Sequence, residues 1–273
     1  MMNVIKKINE ELITDVLCVP PYPTVNGKFL HDYSEQQPEQ KKFFITKEII
    51  SPIRRALCAT YHYRELDIFK EVRIVIEYAI IAFYDNNPVC SYLSLLAVIE
   101  TLLWNWHGEI STINRRQLKI ATQDISIYIK SQFSDNSEYD QRILLLTDYL
   151  ERAINIGWSQ GDTAPKKDFN RNLSLHYLKN INEYSINLLN NCRALLIIDV
   201  IADLYCRTHP DKYKKLQSLY DLEYNQPLFE LYAKYYQKLS ARMLEGAQGN
   251  FIQNVLLKDN ITRAEAKRII DLI

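Results

Sequence analysis

Glycine is scarce in this chain and its cysteines are widely spaced, which limits the folds and the chemistry open to it. Glycine occurs 6 times and proline 9 times in 273 residues. A protein built from tight hairpins needs more of these turn residues, so their scarcity favours helices. The cysteines form no Cys-x-x-Cys pair, which predicts reduced thiols in a cytoplasmic protein. They are Cys18, Cys58, Cys90, Cys192 and Cys206.

The sequence also lacks a net charge and a segment that would direct it to a membrane. Lys plus Arg and Asp plus Glu each total 33, so any basic surface for nucleic acid would have to be local. The N-terminus mixes basic with acidic residues and has no long apolar core, unlike a signal peptide. The apolar runs at 72–84 and 194–205 are too short to span a bilayer and contain acidic residues. We therefore expect no membrane partner.

Motifs for cofactors and metals are missing as well. There is no glycine-rich phosphate loop and no Gly-x-Ser-x-Gly sequence around a nucleophile. His, Cys and Asp residues do not cluster at the spacing that metal ligands need. The sequence therefore predicts neither a cofactor nor a metal ion.

Helical periodicity is the pattern that the sequence does have. Apolar residues recur at intervals of three and four over 65–84, 112–133, 138–157 and 169–207. The segment 89–106 is apolar on nearly every face, so it predicts a central helix. Thr262 and Glu265 form a capping-box pattern at the start of the last of three shorter helices, predicted at 211–221, 226–244 and 262–272. The fold prediction is all-α, an irregular helical bundle.

Composition shifts divide the chain into three parts. Four prolines and an Asn-Gly turn signal lie between 19 and 40, so we expect an irregular arm after a short first helix. A short helix broken near Pro52 follows. The predicted parts are an N-terminal arm with short helices at 1–60, a helical domain at 61–207 and a C-terminal helical extension at 208–273.

One segment, 168–180, carries residues suited to phosphodiester chemistry. It reads "DFNRNLSLHYLKN" and places Arg171, Asn172 and His176 on one predicted helix. Asn172 and His176 are four positions apart and share a face, and the long side chain of Arg171 can swing towards it. Lys166 and Lys167 precede the segment, and Lys179 lies on the same face as His176.

These residue types fit the cleavage of RNA without a metal. Arginine offers a fork of donors to a phosphate and stabilises the charge that grows on it. Histidine can take a proton from a ribose 2′-hydroxyl or give one to the leaving oxygen. The spacing alone is also compatible with a solvated helix face that happens to carry these residues. Both interpretations stay open on spacing alone.

A family resemblance favours the site. Arg171-Asn172-Leu173-Ser174-Leu175-His176 resembles the R-N-x-x-x-H signature carried by the ribonuclease members of the HEPN superfamily, and the likeness covers roughly 65–207. The apolar helix at 89–106 resembles the helix that precedes the signature in the Apea-like and related defence branches, where Glu100 would match a recurring glutamate. One departure is Tyr177, where the family usually has glycine or a small residue.

The resemblance implies a function and partners. Members of the family act as homodimers in toxin–antitoxin pairs, phage defence and RNA processing, with the two motifs forming one RNA-cutting site. It implies that Arg171, Asn172 and His176 are catalytic, that Glu100 supports them, and that Lys166, Lys167 and Lys179 hold RNA. We expect Glu100 to pair with Arg171 or His176. An antitoxin or sensor protein is a further expected partner.

Two other interpretations remain. A non-catalytic HEPN-like module would use the same residues to bind a partner protein or a nucleotide. A helical interaction protein of unrelated origin would carry Arg171 and His176 far from any pocket.

Overall fold

Helices make up most of the described chain, as the scarcity of glycine predicts. The computed structural model describes residues 2–21, 27–85, 87–159, 169–171, 184–209, 211, 226–241, 258 and 261–272. These residues include no β-strand, and the all-α prediction is confirmed.

The N-terminal part is more regular than the sequence suggested. Its helices are α1 (Met2–Leu12), α2 (Gly27–Ser34), α3 (Pro38–Ile49) and α4 (Pro52–Leu57). The prediction of an irregular arm is therefore wrong over α2 and α3. Pro38, one of the four prolines behind that prediction, lies in the first turn of α3, where a backbone N–H would have no partner within the helix. The predicted break near Pro52 is present between α3 and α4.

The next helix begins later than predicted. The chain first forms a π-helix at Cys58–Tyr63 and a 3₁₀ turn at Asp67–Phe69, and α5 then spans Arg73–Tyr84. The prediction of one helix over 65–84 is wrong for its first eight positions. Leu66, Phe69 and Val72 are buried, and their spacing of three fits tight turns as well as a helix.

Two long helices form the centre of the core. They are α6 (Pro88–Ile110) and α9 (Tyr184–Thr208), and α7 (Leu118–Gln132) and α8 (Glu138–Gly157) pack beside them. Every residue from 190 to 206 is buried. Among the described residues, only α6 is long and apolar enough to span a membrane, and it packs against α5, α7 and α9. The predicted central position of 89–106 is confirmed.

The C-terminal part contributes α10 (Gln226–Ser240) and α11 (Arg263–Leu272). The predicted capping box is present: Thr262 N donates to Glu265 Oε2 at 3.0 Å, and Glu265 N donates to Thr262 Oγ1 at 3.2 Å. Apart from residue 211, the helix predicted at 211–221 lies outside the described residues. α10 packs on α4, α5 and α11.

The N-terminal part shares its core with the rest of the chain. Arg193 on α9 donates to the carbonyl of Asp15 at 2.7 Å, and the Tyr149 hydroxyl on α8 donates to the carbonyl of Val16 at 3.2 Å. The apolar residues of α1 are buried in the same cluster as those of α6 and α9. The domain boundaries remain predictions, but the described residues on either side of residue 60 have one core.

Candidate functional site

Two of the predicted site residues lie in the described part of the chain, and the structure brings them together. They are Arg171 and Glu100. The others, Asn172, His176, Lys166, Lys167 and Lys179, lie outside the described residues.

Arg171 and Glu100 form a half-exposed ion pair. Arg171 Nε donates to Glu100 Oε1 at 2.6 Å, and Nη2 is 3.5 Å from Oε2. The two side chains are 30% and 27% exposed. Glu100 is the only acidic residue in the apolar stretch 88–108, so it needs a partner. Contact with a guanidinium provides one and fixes the orientation of the arginine.

A third residue, Trp158, holds the same carboxylate. Its indole Nε1–H donates to Glu100 Oε1 at 2.8 Å, so one oxygen accepts from both Trp158 and Arg171. Trp158 directly follows α8, whose last carbonyls accept its backbone N–H. Sequence reasoning missed Trp158. The available signal was a large aromatic residue at the end of a helix, beside a polar loop.

The residues before Arg171 are also fixed to the end of α8. The side-chain amide of Asn170 is buried and donates to the carbonyl and the hydroxyl of Ser159, each at 3.1 Å. Phe169 is fully buried, and a Cβ atom added to Gly157 would lie 2.8 Å from its Cε1. Glycine is therefore needed at 157 for this approach.

These contacts join two short segments of the chain. We call residues 157–159 and 169–171 the clamp. Gly157 meets Phe169, Ser159 meets Asn170, and Trp158 reaches Arg171 through Glu100. The guanidinium of Arg193 lies 5.4 Å from the centre of the Phe169 ring, which connects the clamp to α9. The half-exposed arginine is therefore positioned by buried neighbours.

A similar arrangement, an arginine and a ring nitrogen beside one carboxylate oxygen, lies around His107, two turns further along α6. We call each of these two arrangements an array. Arg115 Nε donates to Asp124 Oδ2 at 2.7 Å, and His107 Nε2 lies 3.1 Å from the same oxygen. The hydrogen bond from Arg115 lowers the pKa of Asp124. These side chains match the exposure of the Arg171 pair, at 33% for Arg115 and 23% for Asp124. The array has no R-N-x-x-x-H sequence and serves as an internal comparison.

A separate arginine cluster is fully buried. Arg54 and Arg55 on α4 both contact Asp199 on α9, and Tyr63 donates to the same carboxylate at 2.7 Å. Burial raises the pKa of Asp199, but the two guanidinium groups outweigh burial and hold it well below its usual range. The side chains of Arg54, Arg55 and Asp199 are almost fully buried, so we assign the cluster to the framework of the protein.

The described residues contain no group of three or more His, Cys, Asp or Glu side chains that could hold a metal ion. The candidate site is the arginine array at Glu100, because it contains the two predicted site residues that the structure describes.

Comparisons with known proteins add no relative. No protein-family model matches the chain. Neither a curated protein nor a solved structure gives a significant match.

Proposed function

We propose that the protein is a cytoplasmic endoribonuclease of HEPN type that needs no metal ion. The observation that carries the proposal is the ion pair of Arg171 with Glu100. It places a guanidinium in a fixed orientation, 30% exposed, at the first residue of the R-N-x-x-x-H sequence. A preoriented, partly exposed guanidinium suits a phosphodiester, because it presents donors to charge that grows during the reaction.

The proposed reaction is attack by the ribose 2′-hydroxyl on the adjacent phosphorus. The 2′-oxygen forms a bond to phosphorus while the bond to the 5′-oxygen breaks, leaving a 2′,3′-cyclic phosphate. One base takes the 2′ proton and one acid protonates the 5′-oxygen. Arg171 would stabilise the phosphorane, His176 would transfer protons and Asn172 would orient them. Lys166, Lys167 and Lys179 would hold the backbone of the RNA.

A second copy of the chain completes this scheme. The reaction needs an acid and a base, whereas each chain supplies one histidine in the motif. Two motifs related by a two-fold axis would provide both. The homodimer is therefore part of the proposal, and an antitoxin or sensor protein is a further proposed partner.

The alternative is a non-catalytic helical module that binds a partner protein or a nucleotide. Arg115 and Asp124 form a similar array without the motif, so such an ion pair does not by itself require catalysis. An ion pair of this geometry can therefore exist for structure alone. The experiment must therefore compare substitutions of Arg171 with substitutions of Arg115.

The deciding experiment compares matched variants on end-labelled structured RNA in the presence of EDTA. We expect wild type to cut and leave cyclic phosphate ends. His176→Ala and Arg171→Ala should each lower the rate by about 100-fold or more. The controls are Arg115→Ala and His31→Ala, the latter on the exposed surface of α2. Both should cut at the wild-type rate.

Circular dichroism should show that all four variants keep their helical content. Equal cutting by wild type and His176→Ala would contradict the catalytic proposal. Absence of cutting by wild type would favour the binding module, which predicts that Arg171→Ala, but not Arg115→Ala, weakens binding of RNA or a nucleotide.

A further inference from the structure

The carboxylate of Glu100 accepts hydrogen bonds from two different side chains. Oε1 accepts from Arg171 Nε at 2.6 Å and from Trp158 Nε1 at 2.8 Å. Glutamate has three rotatable bonds, and at 27% exposure water can compete for its oxygens. The indole N–H removes part of that freedom, because it fixes the oxygen that faces Arg171.

Tryptophan is well suited to this task. Its Nε1–H is a donor only and does not ionise near neutral pH, so the bond to Glu100 does not change with proton transfer nearby. Its ring packs against the hydrophobic core, which limits its motion. The equivalent residue of the other array is His107, whose ring nitrogen donates or accepts according to the tautomer of the ring. The array at Glu100 thus has a group that can only donate, whereas the ring nitrogen at Asp124 can take either role.

The clamp fixes the two ends of this array. Trp158 lies between Gly157 and Ser159, which contact Phe169 and Asn170 respectively. Phe169 and Asn170 are fully buried, so the backbone at Trp158 and at Arg171 is positioned by the core. What remains adjustable is the carboxylate between them.

We propose that Trp158 is a positioning residue of the candidate site. Its indole N–H holds the Glu100 carboxylate, and that carboxylate holds the Arg171 guanidinium in the orientation that receives the scissile phosphodiester. The inference rests on the proposed ribonuclease function. It assigns Trp158 no contact with the RNA, and its effect on the reaction passes through Glu100.

This role predicts a specific kinetic pattern. A misoriented guanidinium should affect the transition state more than the bound substrate, because the charge it stabilises grows during the reaction. Trp158→Phe keeps an aromatic ring and removes the N–H. We expect kcat to fall about 10-fold with KM within about 2-fold. Trp104→Phe is the matched control, since Trp104 is also half-buried but contacts the His107 ring, and it should keep the wild-type kcat.

A double-mutant cycle tests whether Trp158 acts through Glu100. In a Glu100→Gln background, Trp158→Phe should change kcat by less than about 2-fold, because the carboxylate it positions is gone. The positioning role is overturned if the double variant loses kcat by the product of the two single losses. It is also overturned if the wild type cleaves RNA and Trp158→Phe alone leaves kcat unchanged.

A readout that needs no activity separates this inference from the proposed function. The chain has 3 tryptophans, so their indole N–H signals can be resolved by NMR after labelling with ¹⁵N-tryptophan. Glu100→Gln and Arg171→Lys should each shift the Trp158 signal, whereas Arg115→Lys should not. If the wild type cuts no RNA but the Trp158 signal shifts as expected, the ribonuclease proposal is contradicted, whereas the contacts of Glu100 with Trp158 and Arg171 are supported. An unchanged Trp158 signal in both variants overturns the inference whether or not RNA is cut.

Discussion

The two arginine–carboxylate clusters of this protein use the same chemical groups in opposite environments. Asp199 and its partners Arg54 and Arg55 have side chains that are 1% exposed. Glu100 and Arg171 are 27% and 30% exposed. The buried cluster joins α4 to α9 across 145 positions of sequence. The exposed one joins α6 to the start of the candidate motif.

The difference indicates which cluster is available to a ligand. A buried carboxylate between two guanidinium groups has lost its water, so removing it would leave charges with no compensation. A half-exposed pair is screened by solvent and is worth about 0–1 kcal/mol. A ligand that contacts the Arg171 guanidinium would therefore cost the fold little. At Arg54 and Arg55 the same contact would disrupt the core.

Removing the buried carboxylate should have the largest effect on stability. Asp199→Asn leaves Arg54 and Arg55 without their shared anion, and we expect a loss of about 3–5 kcal/mol in the free energy of unfolding. Urea denaturation measures it. Asp148→Asn is the control, because Asp148 is 63% exposed in its pair with Lys130 and its loss should be below about 1 kcal/mol. Similar midpoints for the two variants would contradict the contrast between buried and exposed pairs.

A smaller loss is expected when a methyl group is added within the clamp. Gly157→Ala places a Cβ atom 2.8 Å from the fully buried ring of Phe169. Overpacking of this kind costs about 1–3 kcal/mol, which exceeds the gain in helix propensity at the last residue of α8. Thermal unfolding should show the lower stability. Gly108→Ala, with nothing within 4 Å of its added Cβ, should show no loss.

A second buried carboxylate, that of Glu77, sharpens the comparison because burial is the largest influence on its pKa and is not outweighed by neighbouring arginines. Glu77 accepts a hydrogen bond from Tyr236, and burial raises its pKa from 4.5 to about 8, although a hydrogen bond from Tyr232 opposes the rise. Its folded form holds a proton that the unfolded chain releases. The stability that it contributes is therefore fully present below its unfolded pKa and is lost as pH rises towards about 8.

The change of stability with pH that we expect from Glu77 is opposite in direction to that expected from Asp199. We expect the free energy of unfolding to fall by about 2 kcal/mol between about pH 6 and about pH 8, and Glu77→Gln should remove that part of the slope. The contribution of Asp199 should be lost only as pH falls through acidic values, because its folded pKa is depressed. Equal slopes in wild type and Glu77→Gln between those two pH values would contradict the assignment.

The smallest effects on stability are expected at the two half-exposed arrays. Arg171→Lys and Arg115→Lys keep the charge but lose the planar fork, and each should change the free energy of unfolding by less than about 1 kcal/mol. Their effects on RNA cleavage should differ, since only Arg171→Lys alters the proposed site. A stability loss several times larger for Arg171→Lys would indicate that its pair belongs to the framework.

The local features of this fold could be predicted from the sequence. The all-apolar faces of α6, the periodicity of α8 and the capping box at Thr262 are patterns within one helix or one turn. The pairing of Glu100 with Arg171 was also accessible, because a lone acid in an apolar helix requires a partner and the motif offered one.

The contacts between distant segments could not be predicted in the same way. Arg54 and Arg55 are adjacent in a short helix, and nothing near them in sequence indicates that both are buried against Asp199. Trp158 is a single aromatic residue whose partner is 58 positions away. Such contacts depend on how helices cross, which local periodicity does not determine.

The attachment of the N-terminal segment has a consequence for the order of folding. The carbonyls of Asp15, Val16 and Pro20 accept hydrogen bonds from Arg193, Tyr149 and Arg142, which follow them by 178, 133 and 122 positions. During synthesis these donors do not yet exist when residues 15–20 emerge from the ribosome. Closing such long loops is slow, because the entropy of the intervening chain is lost before the contacts form. Residues 15–20 must therefore wait for α8 and α9 before they can take their place in the core.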